Sequence, residues 1–368
     1  MVSSPHGEPL FNRGRLQILA RQLRHPARLL AYVGLQLAYR VRALRVPFLP
    51  VTLDVEPNNT CNYECPHCQV THWSKPVASL DEASFLRLLR QLPHLARVKL
   101  QGMGEPLLNK NLLRMLQLGE ERGISMRFTT NGSVYTEALA AGLLGLKDTV
   151  ITVSIDGATA EVFEQIRVGG KFQKVIANIT RLCGARGGTR NPRIDLWTVV
   201  TSKNLHQLCD LVSLSKRLGA DGITLQVFVY DWGKQSMAPT THSIRLDSRN
   251  QALLEALDRA AHLARSEKVE LRVFGSNLLS KKKPCPWPWT SAYIAANGDV
   301  VPCCILADSD TVKMGNVFEQ DFTAIWNSPT YQHFRQRIRS HDLPEYCRNC
   351  YADSPPNQVR SEQLKILQ

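Results

Sequence analysis

The segment from Pro9 to Leu53 has no aspartate and no glutamate, although 32 acidic residues are spread over the 368-residue chain. It carries eight arginines, Arg13, Arg15, Arg21, Arg24, Arg28, Arg40, Arg42 and Arg45, and so forms a basic arm on a chain of net charge +13. No apolar run approaches the ~20 residues that cross a bilayer, which excludes a membrane-spanning helix. The N-terminus lacks a compact apolar stretch followed by a small-residue cleavage site, so no secretory signal is expected. Ten cysteines are then expected as metal ligands or reduced thiols in a cytoplasm, not as disulfides. Internal repeats and low-complexity tracts are also missing. Few aromatics interleave with the arginines of the arm and no nucleic-acid module follows it, so nucleic acid is not an expected partner.

What the arm does contain is a helical pattern. Leu29, Leu30, Val33, Leu37, Val41 and Leu44 recur at roughly helical spacing, giving an apolar face beside a cationic one. Such a helix can rest on an anionic membrane surface, collect a phosphorylated substrate, or pack on the rest of the protein with its arginines in water. The sequence leaves these open. With 43% hydrophobic residues the chain can bury a full core, and its length predicts one large domain and a smaller one.

From Val51 onward short β-rich runs alternate with helical patterns, the signature of parallel βα units. The pattern predicts six strands, Val51–Pro57, Arg97–Gln101, Ser125–Thr130, Thr149–Ile155, Arg193–Val200 and Gly222–Val229. The helix after the first strand is expected to open on a capping box, Ser79-Leu-Asp-Glu82, ahead of Phe85, Leu86, Leu89 and Leu92. Right-handed crossovers would curl these units into an α/β fold, a partial (β/α)6 TIM-like barrel with functional residues at the C-terminal strand ends. After about residue 275 the pattern changes to Lys281-Lys-Lys283, a Pro/Trp cluster and clustered cysteines. The expected division is a helical arm over 1–50, the barrel over 51–275, and a small C-terminal domain with its tail over 276–368.

Cys61, Cys65 and Cys68 follow the first strand with C-x₃-C-x₂-C spacing, so three thiols converge from one loop. Zinc sites and ordinary electron-transfer clusters generally take four protein ligands; three cysteines leave one iron of a 4Fe-4S cluster open to a small molecule. Read by spacing alone, a structural zinc site stays possible. The triad and its place resemble the radical S-adenosylmethionine (SAM) superfamily over about residues 51–230. That resemblance implies a SAM-chelating 4Fe-4S cluster, and reductive cleavage of SAM to a 5′-deoxyadenosyl radical that abstracts hydrogen. It also implies that Gly102-Met103-Gly104-Glu105-Pro106 contacts the SAM ammonium through backbone groups and the Glu105 carboxylate. Asn131 and Ser154 would lie at the SAM rim, Arg167 would pair with its carboxylate, and His67 would stand near the adenine.

Cys285 and Cys303 bracket Gly298 in a C-x₁₂-G-x₄-C pattern, and Cys347 and Cys350 add a C-x₂-C pair. Four thiols also suit a zinc ribbon. The spacing, with Gly315-Asn316 and Ile325-Trp326-Asn327 between, resembles the SPASM/twitch extension of radical SAM enzymes over about residues 280–352. No cysteine follows Cys350, which favours the shorter, twitch-like arrangement with one auxiliary 4Fe-4S cluster. Lys281–Lys283 either balance cluster charge or are a solvated run. Cys304, adjacent to Cys303, would point away from that cluster. It is a candidate hydrogen-atom donor, with a packing thiol as the alternative; Cys183 and Cys209 read as structural thiols.

The expected reaction is epimerisation at a hydroxyl-bearing carbon of a sugar-like or glycan substrate, anionic or lipid-linked. The alternatives are two-electron dehydrogenation of an alcohol with the auxiliary cluster as acceptor, or modification of a ribosomally made peptide; an iron-sulfur scaffold without catalysis is the reading of another class. A low-potential donor such as flavodoxin or ferredoxin would supply electrons. Peripheral membrane contact through the arm would make a cytoplasmic protein membrane-associated.

Overall fold

The computed structural model describes residues 25–231, 234–247, 250–274, 283–303 and 306–352. In chain order the elements are α1 (Pro26–Arg40), β1 (Thr52–Val55), α2 (Glu82–Gln91), β2 (Arg97–Leu100), α3 (Leu112–Glu121), β3 (Ser125–Thr130), α4 (Glu137–Leu144) and β4 (Thr149–Ser154). Next come α5 (Ala160–Ile166), α6 (Phe172–Ala185), β5 (Arg193–Val199), α7 (Leu208–Arg217), β6 (Gly222–Gln226), α8 (Ala238–Ile244), α9 (Gln251–Glu267) and β7 (Glu270–Phe274). The C-terminal part adds α10 (Trp287–Thr290), β8 (Ser291–Ile294), β9 (Asp299–Val301), β10 (Gly315–Asn316), α11 (Phe322–Trp326), α12 (Pro329–Ser340) and α13 (Glu345–Ala352). No helix of the described residues is long and apolar enough to cross a membrane.

The chain clusters into two compact units, one of residues 1–60, 76–127 and 279–347, the other of 61–75, 128–278 and 348–368. The first holds strands in the order β10-β9-β8-β1-β2, and the second holds β4-β5-β6-β7; the residues of β3 divide between the two. β1 pairs in parallel with β2 and, on its other side, with β8, while β9 is antiparallel to both of its neighbours, β8 and β10. β4, β5, β6 and β7 are all parallel. This is the α/β fold with a parallel sheet that the βα alternation predicts.

Three details differ from the expectation. The cap of α2 is Asp81, whose carboxylate accepts from Ser84 N at 2.7 Å, because Ser79 is held in a bridge to Asn58 and the buried Leu80 donates its N–H to Pro57. β7 is a seventh parallel strand. Its alternate residues are the charged Glu270 and Arg272, so it lacks the apolar run of a buried strand, and ion pairs on one face hold it. Arg272 meets Asp195 at 3.1 Å and Glu270 at 3.0 Å, and Arg193 meets Asp195 at 2.9 Å and Glu270 at 2.6 Å. The third difference is that β8, far along the chain, continues the parallel register beside β1.

In the first unit, the linker after α1 is zipped to the C-terminal helices. Asn327 pairs both ways with the Val46 backbone at 2.8 Å, Trp289 donates its indole N–H to Ala43 O, and Trp326 donates to Phe48 O. Arg335 is the centre of this seam and is fully buried. Its guanidinium lies between the rings of Trp326 and Tyr331, 4.5 and 4.6 Å away, and donates to Pro288 O at 2.8 Å and Leu44 O at 2.9 Å.

Asp54 on β1 is buried, accepts from Gln101 Nε2 at 3.1 Å, and is raised by that burial to about 6, against the opposing pull of Lys99. A carboxyl that holds its proton more tightly folded than unfolded favours the fold below the unfolded value of about 4, and that advantage is lost as pH rises to about 6. Asp54→Asn is therefore expected to match the parent near pH 4 and to exceed it by about 2–3 kcal/mol at neutral pH. Denaturant unfolding at both pH values checks this.

Candidate cluster and cofactor site

The run between β1 and the cysteine loop is pinned by side-chain amides. Asn59 donates to Pro76 O and accepts from Ala78 N, each at 2.8 Å, while Asn109 donates to Pro57 O and Leu80 O. Against this run packs the Gly102–Pro106 turn. Glu105 N donates to Thr60 O at 2.8 Å, and a Cβ at Gly104 would stand 2.3 Å from Asn58 O and 2.6 Å from Thr60 O, so only glycine permits the approach. The buried carboxylate of Glu105 accepts from Leu107 N at 3.0 Å. Met103 N donates to Glu56 Oε1 at 3.1 Å, and the other oxygen of Glu56 accepts from Ala296 N. Asn58, whose backbone carbonyl lies against Gly104, has a buried Oδ1 with no hydrogen-bond donor; an acceptor left in that state fits the ammonium that the turn is expected to bind.

In the second unit the cysteine loop is tied to the ends of β3 and α5. Asn131 Nδ2 donates to Asn62 Oδ1 at 2.9 Å and lies 3.9 Å from Cys61 Sγ; Asn62 in turn donates to Ser133 Oγ. Tyr63 N reaches the same sulfur at 3.4 Å, so Cys61 already receives two N–H groups. Glu64 N donates to Val168 O, just past Arg167, and Cys68 N to Cys65 O. Thr71 Oγ1 donates to Cys65 O, and the His72 ring N–H to Pro66 O at 2.8 Å.

The electrostatics of this loop favour anionic sulfur only when something else neutralises it. Burial pushes the Cys65 thiol up to about 12 and raises that of Cys68, while Arg167 pulls both down. Arg167 is itself almost buried and pairs with Asp156 Oδ2 at 2.8 Å through both Nε and Nη2; Asp156 Oδ1 accepts from Val199 N. Burial presses Arg167 down, but Asp156 and the thiols hold it above its usual range. The His67 ring falls to about 4, first through desolvation, with Arg167 and Lys203 adding and Asp156 opposing. Among the described residues no three His, Cys, Asp or Glu side chains converge as a single metal ion requires. A cluster keeps its thiolates on separate corners, and its irons supply the positive charge that the buried Cys65 and the half-buried Cys61 and Cys68 lack. The donor set therefore fits an iron-sulfur cluster.

Ser154, at the end of β4, is in register with Trp197 on β5, which is in register with Thr224 and then Arg272. One row further along the same face, Gln226 is in register with Phe274. Trp197 and Phe274 have ring centroids 5.5 Å apart, Phe274 and Phe228 5.3 Å, and Phe228 stacks on Tyr230 at 5.6 Å. The Trp197 indole N–H donates to Gln226 Oε1 at 3.2 Å, and the Gln226 amide donates to Phe228 O at 3.0 Å. The second unit thus carries an aromatic floor, with Trp197, Phe228 and Phe274 half-buried and Tyr230 buried, level with and just beyond Ser154; the ion-paired Arg193, Asp195 and Glu270 lie before it along the strands, and Arg272 shares the Trp197 row.

In the C-terminal part of the first unit, Cys285 precedes α10 and Cys303 follows β9. Gly298, at φ +89°, makes the turn between β8 and β9, packed on Phe318. Burial, and after it the Cys303 thiol, lift the Cys285 thiol to about 12. The Tyr346 phenol is raised by burial and then by Cys347 and Cys303, which puts Cys303 within electrostatic reach of both regions. α13 carries Cys347 and Cys350 one helical turn apart. Cys304, Lys281 and Lys282 lie outside the described residues. Cys183 and Cys209 sit half-buried on α6 and α7. Four residues that the sequence reading did not single out hold these two regions: Glu56 and Asn58 pack with the Gly102–Pro106 turn in the first unit, and Asn62 and Asp156 hold Asn131 and Arg167 in the second; of these only Asp156 lies near a marked position, two residues past Ser154.

Residues 55–214 match the family model of the radical SAM superfamily, and residues 285–351 that of SPASM, an iron-sulfur cluster-binding domain. The chain is a member of the radical SAM superfamily that carries a C-terminal SPASM domain, and it therefore uses SAM, a 4Fe-4S cluster and auxiliary iron-sulfur binding. It is 26% identical over 329 residues to the tungsten-containing aldehyde ferredoxin oxidoreductase cofactor-modifying protein of Pyrococcus furiosus, covering 81% of this chain and 86% of that one. The PqqA peptide cyclase of Granulibacter bethesdensis is 22% identical, with 82% and 79% covered. Among solved structures, Streptococcus suis SuiB bound to precursor peptide SuiA has a TM-score of 0.64 at 17% identity, covering 89% of this chain and 73% of that one, a likeness of fold.

Proposed function

We propose that this enzyme takes hydrogen from a C–H bond of an aromatic-bearing peptide and releases the peptide oxidised by two electrons. When bound, SAM and its cluster supply the 5′-deoxyadenosyl radical that removes the hydrogen, and the auxiliary cluster supplies the acceptor for the second electron. Cys61, Cys65 and Cys68 are the proposed ligands of the first cluster. Cys285, Cys303, Cys347 and Cys350 are those of one auxiliary cluster. Met103, Gly104, Glu105, Asn131, Ser154, Arg167 and His67 are the proposed SAM contacts, and Asp156 orients Arg167. The electron donor is a ferredoxin or flavodoxin, in a cytoplasm that keeps the thiols reduced.

The observation that carries this reading is the floor beside Ser154. Its rings offer faces and edges, while the polar groups of Trp197 and Gln226 are engaged with each other and with Phe228 O. A sugar-like substrate brings hydroxyls that need partners, whereas an aromatic side chain needs none. The naming of a relative as a peptide cyclase agrees with a peptide.

Epimerisation of a sugar-like substrate is the second reading, favoured by the Cys303-Cys304 doublet in the sequence. The test is anaerobic turnover in D₂O with panels of aromatic-bearing peptides and of polyols. Two-electron oxidation yields a peptide two mass units lighter. Epimerisation yields a product one unit heavier, since an exchangeable thiol returns deuterium. Trp197→Ala is expected to cut product by about 10²-fold while SAM cleavage continues uncoupled, because misplacement of the reacting carbon costs about that much. A polyol modified while every peptide is returned intact would sink the peptide reading.

A further inference from the structure

α1 has two apolar faces, and only one is used by the fold. Ala31, Leu35 and Ala38 are buried; Gly34 lies against the ring of Phe48, and the Tyr39 hydroxyl donates to Pro284 O at 2.8 Å. Arg28 donates to Arg122 O and Gly123 O at 2.9 and 2.7 Å. The helix is therefore fastened along its length, and its outer face is presented rigidly. On that face Leu30, Val33, Leu37 and the capping Val41 are 62%, 53%, 60% and 63% exposed. Their spacing of three, four and four residues aligns them in one stripe.

We infer that this stripe is a docking surface for an anionic lipid bilayer, with α1 lying in the plane of the interface. Charge chooses this occupant. Arg40 and Arg45 are exposed at the end of the stripe, and no acidic residue occurs between Pro9 and Leu53 to neutralise them. Aliphatic side chains flanked by guanidinium groups match a boundary where acyl chains lie beneath acidic headgroups. At 15 residues the helix is too short to span a bilayer, so contact is peripheral. A second copy of the chain would bring an equally cationic face against this one, which opposes self-association. The stripe also carries no exposed aromatic anchor of the kind that dominates protein interfaces. The inference does not depend on the substrate.

The experiment is co-sedimentation of the full, reconstituted chain with vesicles of pure phosphatidylcholine and of phosphatidylcholine containing one quarter phosphatidylglycerol. The parent is expected to sediment with the acidic vesicles at about 0.1 M salt and to be released at about 0.5 M, where the Debye length is halved. Arg40→Gln/Arg45→Gln should weaken binding by about 30-fold, since each arginine near an anionic surface contributes about 1 kcal/mol. Leu30→Ser/Val33→Ser/Leu37→Ser/Val41→Ser should weaken it at least as much while keeping the parent's iron content and circular dichroism. Equal binding by this variant and the parent would overturn the inference, as would a parent that stays in the supernatant. So would a concentration-dependent dimer in sedimentation velocity that the four-site variant abolishes, without vesicle binding.

Discussion

The combined Cys61→Ala, Cys65→Ala and Cys68→Ala variant is expected to form no 5′-deoxyadenosine under reduction and to hold about four irons where the parent holds about eight. The loop around these thiols leaves little room for a milder outcome. The Cys61 sulfur is held by Asn131 and Tyr63, and the backbone of Cys65 by Cys68 and Thr71, which both donate to its carbonyl. Burial disfavours free thiolates here, so metal binding must displace protons and is inseparable from ordering the loop. Iron analysis and chromatography of the nucleoside product check both halves. If the parent takes up zinc instead, or cleaves no SAM with its clusters filled, the assignment of these cysteines is wrong. Four irons retained by the variant would locate the remainder outside the triad, where Cys285, Cys303, Cys347 and Cys350 are the proposed ligands.

The second large effect is expected at Arg335. Arg335→Leu should destabilise the protein by about 3–5 kcal/mol, read as a lowered denaturant midpoint with the slope unchanged. The side chain fills the space between Trp326 and Tyr331 and satisfies the carbonyls of Leu44 and Pro288, so its loss leaves buried acceptors without donors as well as a poorly filled gap. Arg335→Lys should recover only part of this, because an ammonium cannot stack between two rings while donating in two fixed directions. A neutral outcome for Arg335→Leu would mean that the seam between residues 43–48 and the C-terminal helices is held by its tryptophans alone.

Six parallel strands were legible because short β-rich runs alternate with helical patterns along the chain, and all six recur within three residues of the expected ends. β7 was not, since Glu270 and Arg272 hide a strand whose partners Arg193 and Asp195 lie more than 70 residues earlier. The cap at Asp81 was displaced from Ser79 by a tertiary bridge that no local pattern reports. In the candidate site, spacing marked the cysteines as metal ligands with zinc left open, and their cluster roles, like the role of the Gly104 turn, came from resemblance. Sequence could not give Glu56 or Asn62, whose roles come from hydrogen bonds to Met103, Ala296 and Ser133. Nor could it give the aromatic floor, which exists only once β5, β6 and β7 are in register.

The pairing of β8 with β1 bears on how the protein is made. Thr52 and Ser291 share a hydroxyl hydrogen bond across 239 positions, and Arg335 reaches Leu44 across 291. A ribosome adding about 5–20 residues per second emits β1 roughly 10–50 seconds before its second neighbour exists. During that interval one edge of β1 and the apolar side of the 43–48 linker stay open to other chains. Expression at lower temperature or with extra chaperone should therefore raise the soluble yield of the full chain, and a gene cut at residue 275 should yield aggregate however complete its barrel strands appear on paper.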